Sequence, residues 1–250
     1  MRTLFSKNIK HFSILESTNI EAENWILKNK PAEGSAVLAD FQATGRGMGD
    51  NIWESDAKMN LLVSIILYPH FLDAADQFML NKIIALSAKD CVRKFTGRSD
   101  VFIKWPNDIY VGKLKISGIL SRNAISGNRI MHTIAGIGLN VNQTEFSSSI
   151  SNPVSLKMIT GKKFIIQDIL DELLLSFEKY YEMLKDGNIS SIDKNYLDSL
   201  FNFNRIASYS SEGKIFEGTI TGVSPFGHLM MLINGSVKEF DLKEIQYIIE

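Results

Sequence analysis

A connecting segment between two apolar runs carries the first residues that could bind an anion. Residues 42–55, Gln-Ala-Thr-Gly-Arg-Gly-Met-Gly-Asp-Asn-Ile-Trp-Glu-Ser, combine three glycines with Arg46 and Trp53. Glycine lets backbone N–H groups approach a phosphate or carboxylate closely, and arginine offers a fork of donors to the same oxygens. The segment lacks the Gly-Lys-Ser/Thr and Gly-x-Gly-x-x-Gly patterns of common nucleotide-binding loops. Glycines alone are equally typical of a flexible surface loop.

A second candidate group lies between residues 104 and 120. Lys-Trp-Pro-Asn-Asp-Ile-Tyr at 104–110 is followed by Lys-Ile-Ser-Gly-Ile-Leu at 115–120. Alternation along a strand puts Lys115, Ser117 and Ile119 on one face, so the Lys115 ammonium could point into a cleft and neutralise an anion there. Considered alone, the Pro-Asn-Asp step is a turn and Lys115 is a solvated lysine.

A third segment places glycines where strands rarely have them. Residues 136–142 read Gly-Ile-Gly-Leu-Asn-Val-Asn. Glycine within a strand indicates either the close approach of another group to the backbone or a structural bulge. The pattern alone leaves both interpretations open.

The spacing of apolar residues predicts the elements that must position these segments. It indicates a short helix from Ser17-Thr18-Asn19 to about Lys28, and two long core-facing helices over about 76–95 and 167–185. Strands are predicted at 36–39, 61–67, 101–105, 109–111, 115–120 and 130–141. Because the last four strands are joined by short links, the pattern favours a mainly antiparallel sheet, which the helix at 167–185 should cover on one face.

The pattern of apolar and turn-forming residues changes beyond about Phe203. Short alternating strands are separated there by turn signals at 211–213, 225–227 and 234–235. This pattern is typical of a small β-barrel. Since so short a segment is at the lower limit of independent stability, we expect it to dock on the main domain.

Charge and cysteine content argue against several classes of protein. Lys and Arg number 27 against 28 Asp and Glu, a net charge of -1, so we expect no nucleic-acid partner. The single cysteine, Cys91, cannot form an internal disulfide, and its place in an apolar-periodic stretch predicts core packing in a reducing compartment. The first residues lack a signal-peptide pattern and no apolar run reaches spanning length, which predicts a cytoplasmic protein without a membrane partner.

The three segments, taken in order after Ser17-Thr18-Asn19, resemble the catalytic core of the biotin–protein ligases. The most specific part is Lys-Trp-Pro-Asn-Asp joined to the downstream Lys-x-x-Gly-Ile-Leu. The resemblance implies an α+β fold: a mixed, mainly antiparallel sheet with helices, of the class II aminoacyl-tRNA synthetase/biotin ligase type, over residues 1–200. A small SH3-like β-barrel is implied over residues 201–250. Ser17 follows Met1 too closely for the DNA-binding domain of some members, so the monofunctional type is expected.

The resemblance also implies a reaction. Biotin and ATP, with Mg²⁺, would give biotinyl-5'-adenylate and pyrophosphate, and biotin would then pass to a lysine of the biotin carboxyl carrier domain of an acyl-CoA carboxylase. Lys115 and Arg46 are implied as the catalytic residues. The magnesium ligands are not readable, because Mg²⁺ often binds through substrate phosphates and water. Whether the chain pairs as a homodimer is left open.

Two sets of binding residues follow from the same resemblance. The biotin set is Ser17, Thr18, Asn19, Gln42, Gly45, Arg46, Gly47, Met48, Lys115 and Gly118. The ATP and adenylate set is Arg46, Trp53, Lys104, Asn107, Asp108, Lys115 and Asn140. Met48 and Asp50 depart from the family, in which a basic residue or glutamine often follows Gly-Arg-Gly. We therefore expect the adenylate to leak faster than from members with arginine there.

Two other functions remain compatible with these residues. A lipoate– or octanoate–protein ligase shares the fold and the adenylation chemistry, and some of these enzymes also contain Lys-Trp-Pro-Asn-Asp. The joint presence of Gly45-Arg46-Gly47, Trp53 and the carboxy-terminal β module favours biotin. The second alternative is a biotin-binding module without turnover, against which the retention of both Arg46 and Lys115 argues.

Overall fold

The computed structural model describes residues 5, 8–47, 49, 51–148 and 150–249. Seven strands form its main sheet: Ile9–Phe12 (β1), Ala36–Ala39 (β2), Leu61–Leu67 (β3), Val101–Lys104 (β4), Asp108–Val111 (β5), Leu114–Ser126 (β6) and Arg129–Leu139 (β7). Their spatial order is β1-β2-β3-β7-β6-β5-β4, and every pair of neighbours is antiparallel except β1 and β2. The predicted mixed, mainly antiparallel sheet is confirmed. The sequence does not indicate β1, because its four residues include Lys10 and His11 and show no clear alternation.

Five helices accompany the strands: Thr18–Asn29 (α1), Phe78–Thr96 (α2), Leu156–Thr160 (α3), Ile166–Lys185 (α4) and Ile189–Asp198 (α5). The bounds of α1, α2 and α4 lie within two residues of those predicted. The pattern does not indicate α3 or α5. Five residues are too few to show a helical period, and α5 buries only Ile192 and Tyr196.

The sheet is covered on both faces, and β3 shows this most clearly because every one of its residues is buried. Leu61, Val63, Ile65 and Leu67 belong to the large core on the side of α2 and α4, which pack side by side. Ile66 instead joins a smaller cluster with Ala22, Trp25 and Ile26 of α1. Alternate positions of β3 thus face opposite layers, and the even-numbered ones face α1.

The carboxy-terminal strands form a second sheet. They are Ile206–Ser211 (β8), Lys214–Val223 (β9), Leu229–Ile233 (β10), Ser236–Phe240 (β11) and Gln246–Tyr247 (β12), in the order β11-β10-β9-β8-β12. The predicted small carboxy-terminal β module is present, but over the described residues β11 and β12 remain unpaired edges, so its sheet is not closed as a barrel. With two residues, β12 offers too few backbone groups to close it. The domain limits at residues 200 and 201 stay a prediction.

The carboxy-terminal sheet docks on the main domain through the tryptophan of the Lys-Trp-Pro-Asn-Asp segment. Trp105 Nε1 donates to the Gly227 carbonyl at 3.0 Å, in a buried position. Gly227 has φ +94°, and a Cβ there would lie 2.4 Å from the Phe78 ring, so the loop needs glycine to approach this closely. One apolar core runs through both parts and includes Tyr209 and Met231 of the second sheet.

We expect Trp105→Phe to lower the free energy of unfolding by about 1–3 kcal/mol more than a matched Trp25→Phe change. The first leaves the buried Gly227 carbonyl without a donor, which costs about that much, in addition to the lost ring area. The second truncates a similarly buried indole that makes no hydrogen bond with any described residue. Urea unfolding followed by circular dichroism measures both, and equal losses would contradict the docking role.

Cys91 occupies the core rather than a site. It is fully buried on α2, and burial raises the pKa of its thiol far above its usual value. A thiol held protonated is a poor nucleophile, which agrees with the packing role expected for it. Across the described ranges, no helix has both the length and the apolar character needed to cross a membrane.

Candidate functional site

A cavity of about 590 Å³ opens between the main sheet, the start of α1 and the glycine-rich segment. Its size is that of pockets for small molecules. Most residues predicted for the site line it: Ser17, Thr18, Asn19, Gln42, Arg46, Gly47, Trp53, Asn107, Asp108, Lys115 and Gly118. Segments far apart in the sequence thus share one cavity wall, and the roles given to these residues stay predictions.

One end of the cavity is bordered by uncharged polar side chains on and near α1. Gln42 Oε1 accepts from the Thr18 backbone N–H at 2.7 Å and from its hydroxyl at 3.1 Å. Asn19 Nδ2 donates to the Leu120 carbonyl of β6 at 3.0 Å. Ser64 of β3 lies 2.7 Å from Thr18 Oγ1 and 2.6 Å from Asn19 Oδ1. This end can therefore recognise a neutral polar ring by hydrogen bonds.

A lysine and an aspartate border another part of the wall. Lys115 Nζ lies 2.8 Å from Asp108 Oδ2, with both side chains about one quarter exposed. The Lys115 backbone is fixed on its other side, since its N–H donates to Asn152 O at 2.7 Å and its carbonyl accepts from Val154 N at 2.9 Å. Asn107 Nδ2 also donates to the Ile119 carbonyl. The backbone contacts thus fix the position of Lys115 in its strand, and Asp108 holds the ammonium at the cavity.

A bulge decides which residues of β6 face the cavity. The β5–β6 register shifts between Ile109 and Tyr110, so Lys115 pairs with Tyr110 but Ser117 pairs with Ile109. Lys115 and Gly118 both line the cavity although strict alternation would separate them. The prediction that Lys115 and Ser117 share a face is therefore wrong. Ser117 is fully buried and donates to the Gly138 carbonyl at 2.7 Å.

The described residues of the glycine-rich segment pair as the two arms of a hairpin. Gly47 N donates to Asn51 O at 2.7 Å, Trp53 N donates to Gly45 O at 2.9 Å, and Arg46 pairs with Ile52 between them. Gly45 does not line the cavity; a Cβ there would lie 2.4 Å from the Trp53 carbonyl, so the close approach of the two arms requires glycine. The predicted contact at Met48 lies outside the described residues, as does Asp50.

The glycines inside β6 and β7 make room for side chains of the chain itself. A Cβ at Gly118 or Gly138 would lie 2.8 or 2.5 Å from the Trp53 indole, and one at Gly136 would lie 2.3 Å from Asn19 Oδ1. The β6–β7 register is regular at both β7 glycines. Of the two interpretations of glycine in this strand, close approach is confirmed and a bulge is not found.

Two residues predicted for the nucleotide lie outside the cavity wall. Lys104 Nζ lies 5.1 and 5.2 Å from the ring centres of Tyr110 and Tyr247, and burial lowers its pKa. Asn140 is buried and donates from Nδ2 to the Val154 carbonyl at 3.1 Å, beside the residues that hold Lys115. A direct contact of either residue with a ligand stays a prediction.

Sequence reasoning missed Ser64. It is the one polar residue in the run Leu-Leu-Val-Ser-Ile-Ile-Leu, and a polar residue within an otherwise apolar buried strand needs hydrogen-bond partners. That interruption is the signal that could have marked it.

The carboxylates in the cavity wall are Glu54 and Asp108. Over the described ranges, no group of three or more His, Cys, Asp or Glu side chains could hold a metal ion by itself.

A family model and several curated proteins resemble the chain. Residues 12–140, just over half of the chain, match the model of the biotin/lipoate A/B protein ligase family. The bifunctional ligase/repressor BirA of Bacillus subtilis is 27% identical over 248 residues, covering 97% of this chain and 75% of that protein. The biotin–[acetyl-CoA-carboxylase] ligase of Paracoccus denitrificans is 30% identical over 189 residues, with 73% and 76% covered. Of biotin–protein ligase 2 of Arabidopsis thaliana, the chain spans 64%.

Solved structures agree with this assignment. The biotin protein ligase of Aquifex aeolicus in complex with biotin and ATP has the same fold, with a TM-score of 0.79 at 24% identity over 97% of this chain and 100% of that one. A mutant of the same enzyme in complex with biotin gives a TM-score of 0.78 at 26% identity, covering 97% and 98%. The chain therefore belongs to the biotin/lipoate A/B protein ligase family and, within it, to the biotin–protein ligases.

Proposed function

We propose that this protein is an ATP-dependent biotin–[biotin carboxyl carrier protein] ligase. A carboxylate oxygen of biotin attacks the α-phosphorus of ATP, the bond from that phosphorus to the bridging oxygen of the β-phosphate breaks, and pyrophosphate leaves. The ε-amine of a carrier lysine then attacks the acyl carbon of biotinyl-5'-adenylate and expels AMP. The lysine loses a proton, and the product is an amide.

One observation carries this proposal: a single cavity joins neutral hydrogen-bonding groups with two cations. Thr18, Asn19 and Gln42 line this cavity together with Arg46 and Lys115. Biotin has the same division, since its ureido ring is neutral and polar and its tail ends in a carboxylate. Trp53 offers an aromatic face for the adenine.

Lys115 and Arg46 supply what this first step needs. An anion attacking another anion is slowed by mutual repulsion, and fixed cations relieve that repulsion in a site that excludes water. Lys115 is held by its backbone contacts and by Asp108. Arg46 lies on the hairpin at the cavity, where its guanidinium can bind two phosphate oxygens at once.

Magnesium would enter with the nucleotide. It shields the polyphosphate charge when bound, and phosphate oxygens and water would be its main ligands. Glu54 and Asp108 are the carboxylates in the described wall that could approach it.

The acceptor in this proposal is the biotin carboxyl carrier domain of an acyl-CoA carboxylase. A relative named for acetyl-CoA carboxylase supports that class of partner. The homodimer and the cytoplasmic location stay predictions of the sequence.

Pyrophosphate exchange into ATP tests the proposal without the carrier. Biotin, lipoate and octanoate would be compared as parallel acids on the purified protein. Biotin-dependent exchange is expected, followed by labelling of a carrier domain at its lysine. Exchange with lipoate or octanoate instead would move the protein to the sister enzymes, and binding of biotin by calorimetry without any exchange would indicate a binding module.

A further inference from the structure

Ser64 makes hydrogen bonds with two residues at the polar end of the cavity, which is the end formed by Thr18, Asn19 and Gln42. Its side chain is 0% exposed, in a strand whose other residues are all apolar. Ser64 occupies an even-numbered position of β3, so it faces α1, where Thr18 and Asn19 begin the helix. The hydroxyl contacts both of these residues and does not itself line the cavity.

Two backbone groups fix the direction of the hydrogen bonds around Ser64. The Leu120 carbonyl can only accept, so the Asn19 atom 3.0 Å from it is the nitrogen, and the Asn19 oxygen must face Ser64. The Thr18 backbone N–H can only donate, so the Gln42 atom 2.7 Å from it is the oxygen. Neither amide can be reversed without opposing two acceptors or two donors.

The single proton of the Ser64 hydroxyl has one possible acceptor in this arrangement. Asn19 Oδ1 only accepts, so Ser64 donates its one proton to that oxygen at 2.6 Å. Ser64 Oγ can in turn accept from the Thr18 hydroxyl at 2.7 Å, and the other acceptor within that hydroxyl's reach is Gln42 Oε1 at 3.1 Å. Whichever of these two oxygens the Thr18 hydroxyl donates to, Asn19 Oδ1 and Gln42 Oε1 each accept a hydrogen bond.

The amide N–H groups that remain without an acceptor belong to Gln42 and Asn19. Gln42 Nε2 makes no hydrogen bond with any described residue, and Asn19 Nδ2 has a second hydrogen beyond the one given to Leu120. Both residues line the cavity. The two amides therefore present N–H groups to the cavity, which suit an acceptor oxygen.

We propose that Ser64 is a positioning residue that makes this end of the cavity selective for a hydrogen-bond acceptor, the ureido carbonyl of biotin. The inference rests on the proposed function and extends it to a residue that does not touch the substrate. Gly136 of β7 supports the same arrangement from the other side, because any Cβ there would collide with the Asn19 amide. Without the Ser64 hydroxyl, Asn19 Oδ1 loses its donor, and only the hydrogen bond to the Leu120 carbonyl still holds the amide.

Ser64→Ala is expected to raise the KM for biotin by about tenfold in pyrophosphate exchange, and to leave the KM for ATP unchanged. Threonine and valine side chains have the same shape, but only threonine keeps the hydroxyl. The Ser64→Thr variant should therefore resemble wild type, and the Ser64→Val variant should resemble Ser64→Ala. Ser87→Ala is the control, because it removes another fully buried hydroxyl, which donates to Ile83 O within α2.

A second measurement separates selectivity from general damage. In 2-iminobiotin, a nitrogen that is protonated at neutral pH replaces the ureido oxygen, so the ring offers donors alone. The ratio of kcat/KM for biotin to that for the analogue should fall by about tenfold in Ser64→Ala and stay at the wild-type value in Ser87→Ala.

The outcomes for the two proposals are distinct. Wild-type protein without biotin-dependent exchange would overturn the proposed function. An active wild type would overturn the role of Ser64 if Ser64→Ala kept its biotin KM and its selectivity, or if Thr and Val behaved alike. A rise in biotin KM together with a fall in selectivity, both confined to Ala and Val, would support it.

Discussion

Replacing Lys115 by alanine is expected to slow biotin-dependent pyrophosphate exchange by on the order of a hundredfold or more. Its ammonium is fixed at the cavity, 2.8 Å from Asp108 and on a backbone held by Asn152 and Val154. A fixed cation acts on the transition state without the cost of reorienting water. Alanine removes that cation and also takes from Asp108 the positive charge beside it, so the site gains uncompensated negative charge where two anions must meet.

A matched lysine separates this effect from a change of net charge. Lys113 lies two residues upstream in an exposed turn, and Lys113→Ala should keep nearly all of the exchange activity. Lys115→Arg retains the charge but replaces a compact ammonium by a broad planar group, so it should recover little. Near-normal exchange by Lys115→Ala, with biotin and ATP saturating, would rule out the catalytic role.

Arg46→Met should reduce exchange by on the order of tenfold to a hundredfold and should speed the escape of biotinyl-adenylate into solution. Arg46 is exposed on the hairpin and lines the cavity, so its guanidinium can bind phosphate oxygens there. Methionine keeps most of the apolar stem of the side chain and removes the fork of donors. An exposed cation is screened by salt, so the wild-type advantage should also shrink as ionic strength rises.

Free adenylate released in a single turnover without carrier is the measurement for Arg46. Arg205→Met serves as a control, because Arg205 is exposed and does not line the described cavity. Arg46→Lys tests the fork itself, since it preserves the charge and offers a single point of contact. Equal release by Arg46→Met and Arg205→Met would mean that the hairpin arginine does not hold the adenylate.

The residues predicted for the site fall into two groups when compared with the structure. Most of them line the cavity, among them Asn19 and Lys115. Lys104 and Asn140 do not line it, although they belong to the same motifs. Lys104 lies against Tyr247 of the second sheet, and Asn140 binds the Val154 carbonyl. Such contacts join segments far apart in sequence, which a motif read along the chain does not reveal.

The sequence by itself determined the antiparallel sheet, three of the helices and the three segments that border the cavity, because apolar period, turn residues and glycines act over a few neighbouring residues. The tertiary structure alone decided which side chains face the cavity and which way their amides point. The bulge opposite Ile109 brings Lys115 and Gly118 to the same wall. Ser64 orients Asn19 only because β3, α1 and β6 meet at that point. Register and layer packing are set by the whole chain, and hydrogen-bond direction is set by the groups that packing brings together.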